Sequence, residues 1–418
     1  MTGTVLLALL GVFAQVSVQD QALLDELSYK AFRFFWEQSN PTTGFTKDRA
    51  ANLVGSDSYT VSSIASTGFA LAANAIGVER GWITRNQGLV RTRITLQNLN
   101  SVAPRVNGWF YHFIHWQTGA RMWSSEVSSI DTAILLAGAV IAERYFKDGT
   151  VTNEFNAMLG AVDWHWMLTD GGTKPNSLSF SHGWTPESGF IPYRWDNYSE
   201  HMVLYILALG AWEPMPKASW TAFSRPVVNY FGYKLFGGGP LFLHQMSQSF
   251  LDFSRTRDVL RLDYWASGRN HTLANRLYCI NNPKGYAGYG PNFWGLSAGD
   301  TPDGYKALGA PGWGDDNGTV IPTSAVASII YTPTESIAAA QHFRNNYPNA
   351  YGRYGFSNGI NPTRSWVGPD VIGIDLGMML LALENYRSGL PHRLFHSHPV
   401  VERGFKRAGF WPRSQALD

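Results

Sequence analysis

Apolar residues recur at helical spacing along almost the whole chain. Over residues 21–38, Leu23, Leu24, Leu27, Ala31 and Phe34 fall on one face, the 3.6-residue signature of an amphipathic helix. Residues 60–77, around Ala65, Gly68, Phe69 and Ala72, are small and apolar on every side. Thr84 and Gln87 form a capping box that opens a helix to about Leu99. The same periodicity predicts helices over 125–146, 151–168, 199–210, 216–231, 244–253, 256–281, 322–331, 333–347, 375–388 and 398–408, and Thr332-Pro333-Thr334-Glu335 is a well-formed helix start. The segments alternate in character. Those beginning near 60, 125, 199, 322 and 375 are apolar all round, whereas 84–99, 151–168 and 333–347 are amphipathic. A helix apolar on every side is buried, and an amphipathic one faces water. About twelve helices alternating in this way predict an all-α fold, an (α/α)6 barrel with an inner and an outer ring. The long interval from 199 to 322 houses the sixth inner helix near 244–253. No Pro/Ser/Gly tract, charge block or low-complexity run divides the chain, so residues 18–418 read as one domain.

Composition sharpens this picture. Charged residues make up 15% of the 418, against about 25% in an ordinary soluble domain. Aromatic residues make up 14%, with 16 Trp, 19 Tyr and 24 Phe. Most of these rings serve packing. Trp and Tyr also carry flat apolar faces with a polar edge, which suit the CH-rich faces of pyranose rings. Two long segments between helices concentrate them: 170–198, with Trp184, Phe190, Tyr193 and Trp195, and 284–319, with Tyr286, Tyr289, Phe293, Trp294, Tyr305 and Trp313. Loops of this length are functional or disordered, and so many aromatics argue against disorder. Trp184, Tyr193, Arg194, Trp195, Trp294 and Trp313 are therefore expected to line a saccharide cleft. A net charge of +2 without a Lys/Arg cluster argues against nucleic-acid binding and polybasic membrane attachment. The single Cys279 excludes an intrachain disulfide framework. The apolar run Val5–Ala14 is too short to span a bilayer. It reads as the core of a signal peptide over residues 1–17, and three Asn-x-Ser/Thr sequons, at Asn197, Asn270 and Asn317, fit a secreted monomer.

Three carboxylates share one placement. Asp131, Glu200 and Asp375 each stand just before the apolar stretch of a presumed inner helix. In a barrel of this kind those helix ends gather at one mouth, so three sequence-distant acids are expected to share a cavity. Clustered, buried acids raise one another's pKa, which suits a general acid. Each acid alone is equally explained by a helix dipole. Glu126, at the head of the helix carrying Asp131, and Glu187, in Trp184-Thr185-Pro186-Glu187-Ser188-Gly189-Phe190, are candidates for substrate contact. Asp315-Asp316-Asn317-Gly318-Thr319 reads as a polar turn, because it lacks the later Glu of a calcium loop. The 11 His residues show no tight metal spacing, and His112 and His115 read as cavity wall. No metal or other cofactor is expected.

Several long stretches match a known family in order. They include Phe32-Arg33-Phe34-Phe35-Trp36-Glu37, Ser63-Ile64-Ala65-Ser66-Thr67-Gly68-Phe69, Ile76-Gly77-Val78-Glu79-Arg80-Gly81-Trp82, Ile130-Asp131-Thr132-Ala133, Tyr198-Ser199-Glu200 and Glu384-Asn385-Tyr386-Arg387-Ser388-Gly389-Leu390. From about Leu23 to Phe410 the chain resembles the glucoamylase-like ("glycoamylase") domain family. The resemblance implies an (α/α)6 barrel and hydrolysis of β-1,2-glucan, most simply as an endo-acting enzyme. It also implies that Glu200, in the place of the Glu of a Tyr-Asn-Glu-type motif, is the general acid. Relatives often carry Glu where this chain has Asp131, and Asp where it has Ser128. Asp375 is the expected base, with Asp131 as the alternate. Inversion would place the two reacting carboxyls ~6.5–9.5 Å apart. Rival expectations are an α-glucan hydrolase of glucoamylase type, a non-catalytic glucan-binding protein and a polysaccharide lyase.

Overall fold

The computed structural model describes residues 17–53 and 58–412, and its helices wind into two concentric rings. The leader expected over 1–17 lies, apart from Ser17, outside the described residues. In chain order the helices are α1 (Val18–Glu37), α2 (Ile64–Glu79), α3 (Arg85–Ser101), α4 (Ser129–Phe146), α5 (Gly149–Gly160), α6 (Trp164–Leu168), α7 (Met202–Gly210) and α8 (Ser219–Ala222). They continue with α9 (Phe242–Gln248), α10 (Tyr264–Asn281), α11 (Pro322–Ala327), α12 (Pro333–Asn346), α13 (Gly373–Arg387), α14 (Leu390–His396) and α15 (Pro399–Arg407). The inner ring is α2, α4, α7, α9, α11 and α13. On its outside, α1 packs on α13 and α2, α3 on α2, α5 on α4, α10 on α9, α12 on α11 and α15 on α7.

The inner helices earn their place by being apolar all round. Every residue of α7 is buried, as is every residue of α2 from Ile64 to Gly77. Small residues let them touch. A Cβ on Gly138 of α4 would lie 1.8 Å from the carbonyl oxygen of Gly68 in α2, so the two backbones meet there without side chains between them. The capping box at Thr84 and Gln87 is present and starts α3.

Some expected helices are shorter or replaced. Only Ser219–Ala222 of the 216–231 segment is helical. Val227–Tyr230 and Tyr233–Phe236 form an antiparallel hairpin instead, turned at Phe231 and Gly232, which both have positive φ. The β-branched and aromatic run there favours a strand. The 256–281 helix begins only at Tyr264, because Asp258 ties up the preceding loop. Its carboxylate accepts the amides of Leu260 and Leu262, the Trp220 indole and the Tyr264 hydroxyl. Residues 151–168 split at Ala161 into α5 and α6, with Asp163 capping the second. The short α14 carries too little periodicity to announce itself in the sequence.

Short strands precede three inner helices. Val61–Ser63 leads into α2, Val127–Ser128 into α4 and Asp370–Ile372 into α13. They pair with Phe113–His115, Gly183–Thr185 and Arg49–Ala51 respectively. Strands thus ring the mouth formed by the N-terminal ends of the inner helices. Among the described residues no helix is long and apolar enough to cross a membrane.

Candidate active site

Two connected chambers open at this mouth. The inner one, about 210 Å³, is lined by Asp131, Glu200 and Asp375 together with Phe242, Met246 and Met378. The outer one, about 420 Å³, is lined by Asp48, Arg49, Tyr59, Phe113 and Trp123. His112, Tyr305 and Ile374 belong to both walls. The three acids singled out by their position before apolar stretches therefore face one cavity.

Each acid is held differently. Asp375, in the first turn of α13, is 4% exposed and accepts a hydrogen bond from the Asn358 amide at 2.5 Å. Its helix dipole favours the ionised form. Burial outweighs both, and with Asp300 and Asp48 nearby the carboxyl rises to about 7. Glu200 stands in the turn before α7, where the Ser247 hydroxyl donates to its backbone carbonyl and also receives the Val203 amide. Burial raises its pKa against the opposing hydrogen bond from Ser199, and Asp131 adds to the rise. Asp131 lies in the first turn of α4. Ser128 caps that helix by accepting the Asp131 amide and donates its hydroxyl to Asp131 Oδ2 at 2.6 Å. Ser128 thus holds the neighbouring carboxylate.

His112 links this acid to another. Its Nδ1 is 2.9 Å from Glu126 Oε1 and its Nε2 3.6 Å from Asp131 Oδ2, with the ring stacked on Phe113. Burial alone would depress the imidazole, but Asp131, Glu126 and Asp48 outweigh it and raise the pKa to about 9. An imidazolium between two carboxylates accounts for this cluster. Its donor atoms lie within 4.8 Å of one another, the spacing a metal ion also needs. Neither ring nitrogen of such a cation has a lone pair free for a metal. At the outer chamber Arg49 bridges Asp48, Asp300 and Asp370, and the Tyr59 hydroxyl donates to Asp370 at 2.6 Å.

The rim carries an unusual turn. Trp123 and Ser124 both have positive φ, 54° and 50°, a conformation costly for residues with a Cβ and concentrated at functional sites. Arg121 braces it by donating to the carbonyls of Ser124 and Ser125, and Glu187 holds Arg121 at 2.6 Å. The turn leaves Trp123 66% exposed at the cavity mouth, edge-on to Phe113.

Several expected contacts are corrected. None of Trp184, Trp195, Trp294 and Trp313 lines either chamber. Trp294 is fully buried in the core. Trp195 stacks on His182 and donates to Ser129, fixing the start of α4. Trp184 packs against Trp166, and Trp313 lies against Gly239. Tyr193 is exposed outside both chambers. Arg194 is a loop clamp, bound to Asp170 and to the carbonyls of Leu168 and Ser179. Glu187 braces the rim and Glu126 holds His112. The residues missed are Asp48, Arg49, Tyr59, Trp123 and Tyr305. All lie in loops and short strands outside the helical periodicity, and the sequence signals are the aromatic density around His112 and, for Tyr305, the aromatic segment 284–319.

The glycoamylase family profile, described as "Putative glucoamylase", matches residues 192–399. The exo beta-1,2-glucooligosaccharide sophorohydrolase (non-reducing end) of Parabacteroides distasonis is 29% identical over 428 residues, covering 93% of this chain. The chain spans 58% of that relative's length. A structure of a "putative glucoamylase" from Bacteroides caccae is 30% identical, with a TM-score of 0.87 over 94% of this chain and 100% of that one. The endo-beta-1,2-glucanase of Chitinophaga pinensis, solved with sophorotriose and glucose, is 28% identical, with a TM-score of 0.86 over 94% and 99%.

Proposed function

Because the chain belongs to the glycoamylase family, we propose that it is a glycoside hydrolase that cleaves β-1,2-linked glucan, endo-acting and inverting. The observation that carries this reading is the meeting of Asp131, Glu200 and Asp375 in one saccharide-sized cavity, with Glu200 and Asp375 both raised by burial. Hydrolysis needs one carboxyl protonated and one ionised near neutral pH. Glu200 supplies its proton to the leaving glycosidic oxygen as the C1–O bond breaks. Asp375, ionised above about 7, takes a proton from the water whose oxygen bonds to C1 from the opposite face. One displacement inverts the anomeric centre. Asp131, positioned by Ser128 and His112, lies beside Glu200 and adds to the rise of its pKa, which favours the protonated form. The test is a product screen of the purified protein on linear β-1,2-glucan, laminarin, starch and cellulose. Hydrolysis of starch with β-1,2-glucan untouched would overturn the reading.

A second reading is exo action, favoured by the similarity to the exo-acting Parabacteroides distasonis enzyme. Early product distribution separates the two: a ladder of oligosaccharides marks endo cleavage, and sophorose alone marks exo cleavage. A polymeric substrate also fits action outside the cell, as does the exposed Asn197 of its sequon. Recovery of the native protein only from the cytoplasmic fraction would remove that extension.

A further inference from the structure

A cavity larger than either chamber lies away from the mouth. It measures about 570 Å³ and lies at the far end of α13, where Asn385 and Tyr386 line it, whereas Asp375 in the first turn lines the inner chamber. Ten residues of helix separate Asp375 from Asn385, roughly 15 Å at 1.5 Å per residue. This rear pocket is closed by the loop after α9, by α10, by α14 and by α15.

Its wall offers fixed donors and acceptors. His392 Nε2 faces the Gln248 carbonyl at 2.9 Å and so must carry the proton, which leaves Nδ1 as an acceptor. His396 Nε2 accepts the Asp252 amide at 2.8 Å, so its proton sits on Nδ1 as a donor. Burial keeps both rings neutral by pushing their pKa values down, His396 to about 4. The Thr256 hydroxyl is buried without a hydrogen-bond partner. Arg255 is exposed and has no carboxylate within salt-bridge distance among the described residues. Trp265, Tyr386 and Phe405 add aromatic surface.

A wall of this kind matches a polyhydroxylated ring better than the alternatives. Asp252, whose carboxylate accepts the Ser254 amide, opposes an anion. Both histidines have one nitrogen committed to the backbone, and the guanidinium groups of Arg255 and Arg393 share the wall, which disfavours a cation. From these observations we infer that the rear pocket is a second, non-catalytic binding site for a neutral oligosaccharide of about disaccharide size. Its lining holds no carboxyl raised toward neutrality, so it binds and does not cleave. The class of ligand rests on the pocket alone, and its β-1,2 linkage rests on the function proposed above. A long glucan chain held there stays tethered to the enzyme, which raises the local substrate concentration without any new catalytic contact.

The test uses the full chain carrying Glu200→Gln, titrated calorimetrically with gluco-tetrasaccharides of β-1,2, β-1,3, β-1,4 and α-1,4 linkage. The expected result is two sites for the β-1,2 sugar, falling to one when Arg255→Ala or Thr256→Val is added. In the otherwise native enzyme the same changes are expected to raise KM for long glucan several-fold. If a different linkage binds twice and loses one site in the same variants, the rear site stands and the proposed substrate fails. A single site, or two sites both indifferent to Arg255→Ala and Thr256→Val, overturns the inference.

Discussion

The two ends of α13 lie in the same barrel, yet burial does opposite things to the titratable groups around them. At the front it acts on carboxyls and moves Asp375 up to about 7. At the rear it acts on imidazoles and moves His396 down to about 4. Desolvation always disfavours the charged form, so the residue type decides the outcome. The front acquires groups that exchange protons near neutral pH. The rear acquires neutral groups with fixed tautomers that hold hydroxyls and exchange nothing. His112 is the instructive exception at the front. Two carboxylates flank it, and their attraction outweighs burial and raises it to about 9.

The contrast is broken most severely at Glu200. Glu200→Gln keeps the shape of the side chain and removes the transferable proton. General acid catalysis contributes about 10²–10⁴-fold, so kcat on linear β-1,2-glucan is expected to fall by that factor or more, with the melting temperature nearly unchanged. Near-normal turnover in this variant would remove Glu200 from the mechanism.

Asp375→Asn is expected to lower turnover on the same scale, and it also tests burial directly. The folded state holds this proton from pH 3.8 up to about 7, whereas the unfolded chain releases it near 3.8. Stability therefore falls as pH rises through that window and is lowest above it. The rise corresponds to about 4 kcal/mol against ionisation, as an upper bound. The asparagine variant should thus be more stable than the native enzyme at pH 8 and close to it at pH 4. Denaturant unfolding at the two pH values checks this, and equal stability changes at both would sink the account.

How much of this was legible beforehand follows the same division. Asp131, Glu200 and Asp375 were found because each stands at the head of an apolar helix, and helix position is written in periodicity. Trp294 and Trp195 misled because an indole in a long aromatic loop has the same sequence appearance whether it packs inward or faces a cleft. Here Trp294 fills the core and Trp195 ties down Ser129. Asp48, Arg49 and Tyr59 escaped because their neighbourhood is made by pairing of distant short strands, such as Arg49–Ala51 with Asp370–Ile372. Two- and three-residue strands leave no periodic trace.

A gentler change sharpens the front end. The Asn358 amide donates to Asp375 and favours its ionised form, against burial. Asn358→Ala removes that donor, so the carboxyl rises further and the base is ionised only at higher pH. The acidic limb of kcat/KM is expected to move up by roughly half to one pH unit, with the plateau less affected. A limb that stays in place, or moves down, would separate the pH dependence of activity from Asp375.

The smallest expected effect lies at the rim, where the outer chamber meets solvent. Trp123 is 66% exposed on a turn with two consecutive left-handed residues, and Arg121 and Glu187 spend three side-chain hydrogen bonds or more to hold it there. A core needs no such device, since an exposed indole contributes nothing to packing. The strain is therefore best explained by what the ring meets, a sugar face arriving at the outer chamber. A stacked ring contributes about 1 kcal/mol, equivalent to roughly a fivefold change in affinity. Trp123→Ala should raise KM by about that factor and leave kcat close to native, because the ring lies outside the inner chamber where the acids meet. Arg121→Ala should have the same kinetic effect by releasing the turn, although the Trp123 side chain is still present. If both variants retain the native KM on long and short glucans alike, the rim turn is a feature of the loop alone and the outer chamber binds sugar through Arg49, Tyr59 and His112.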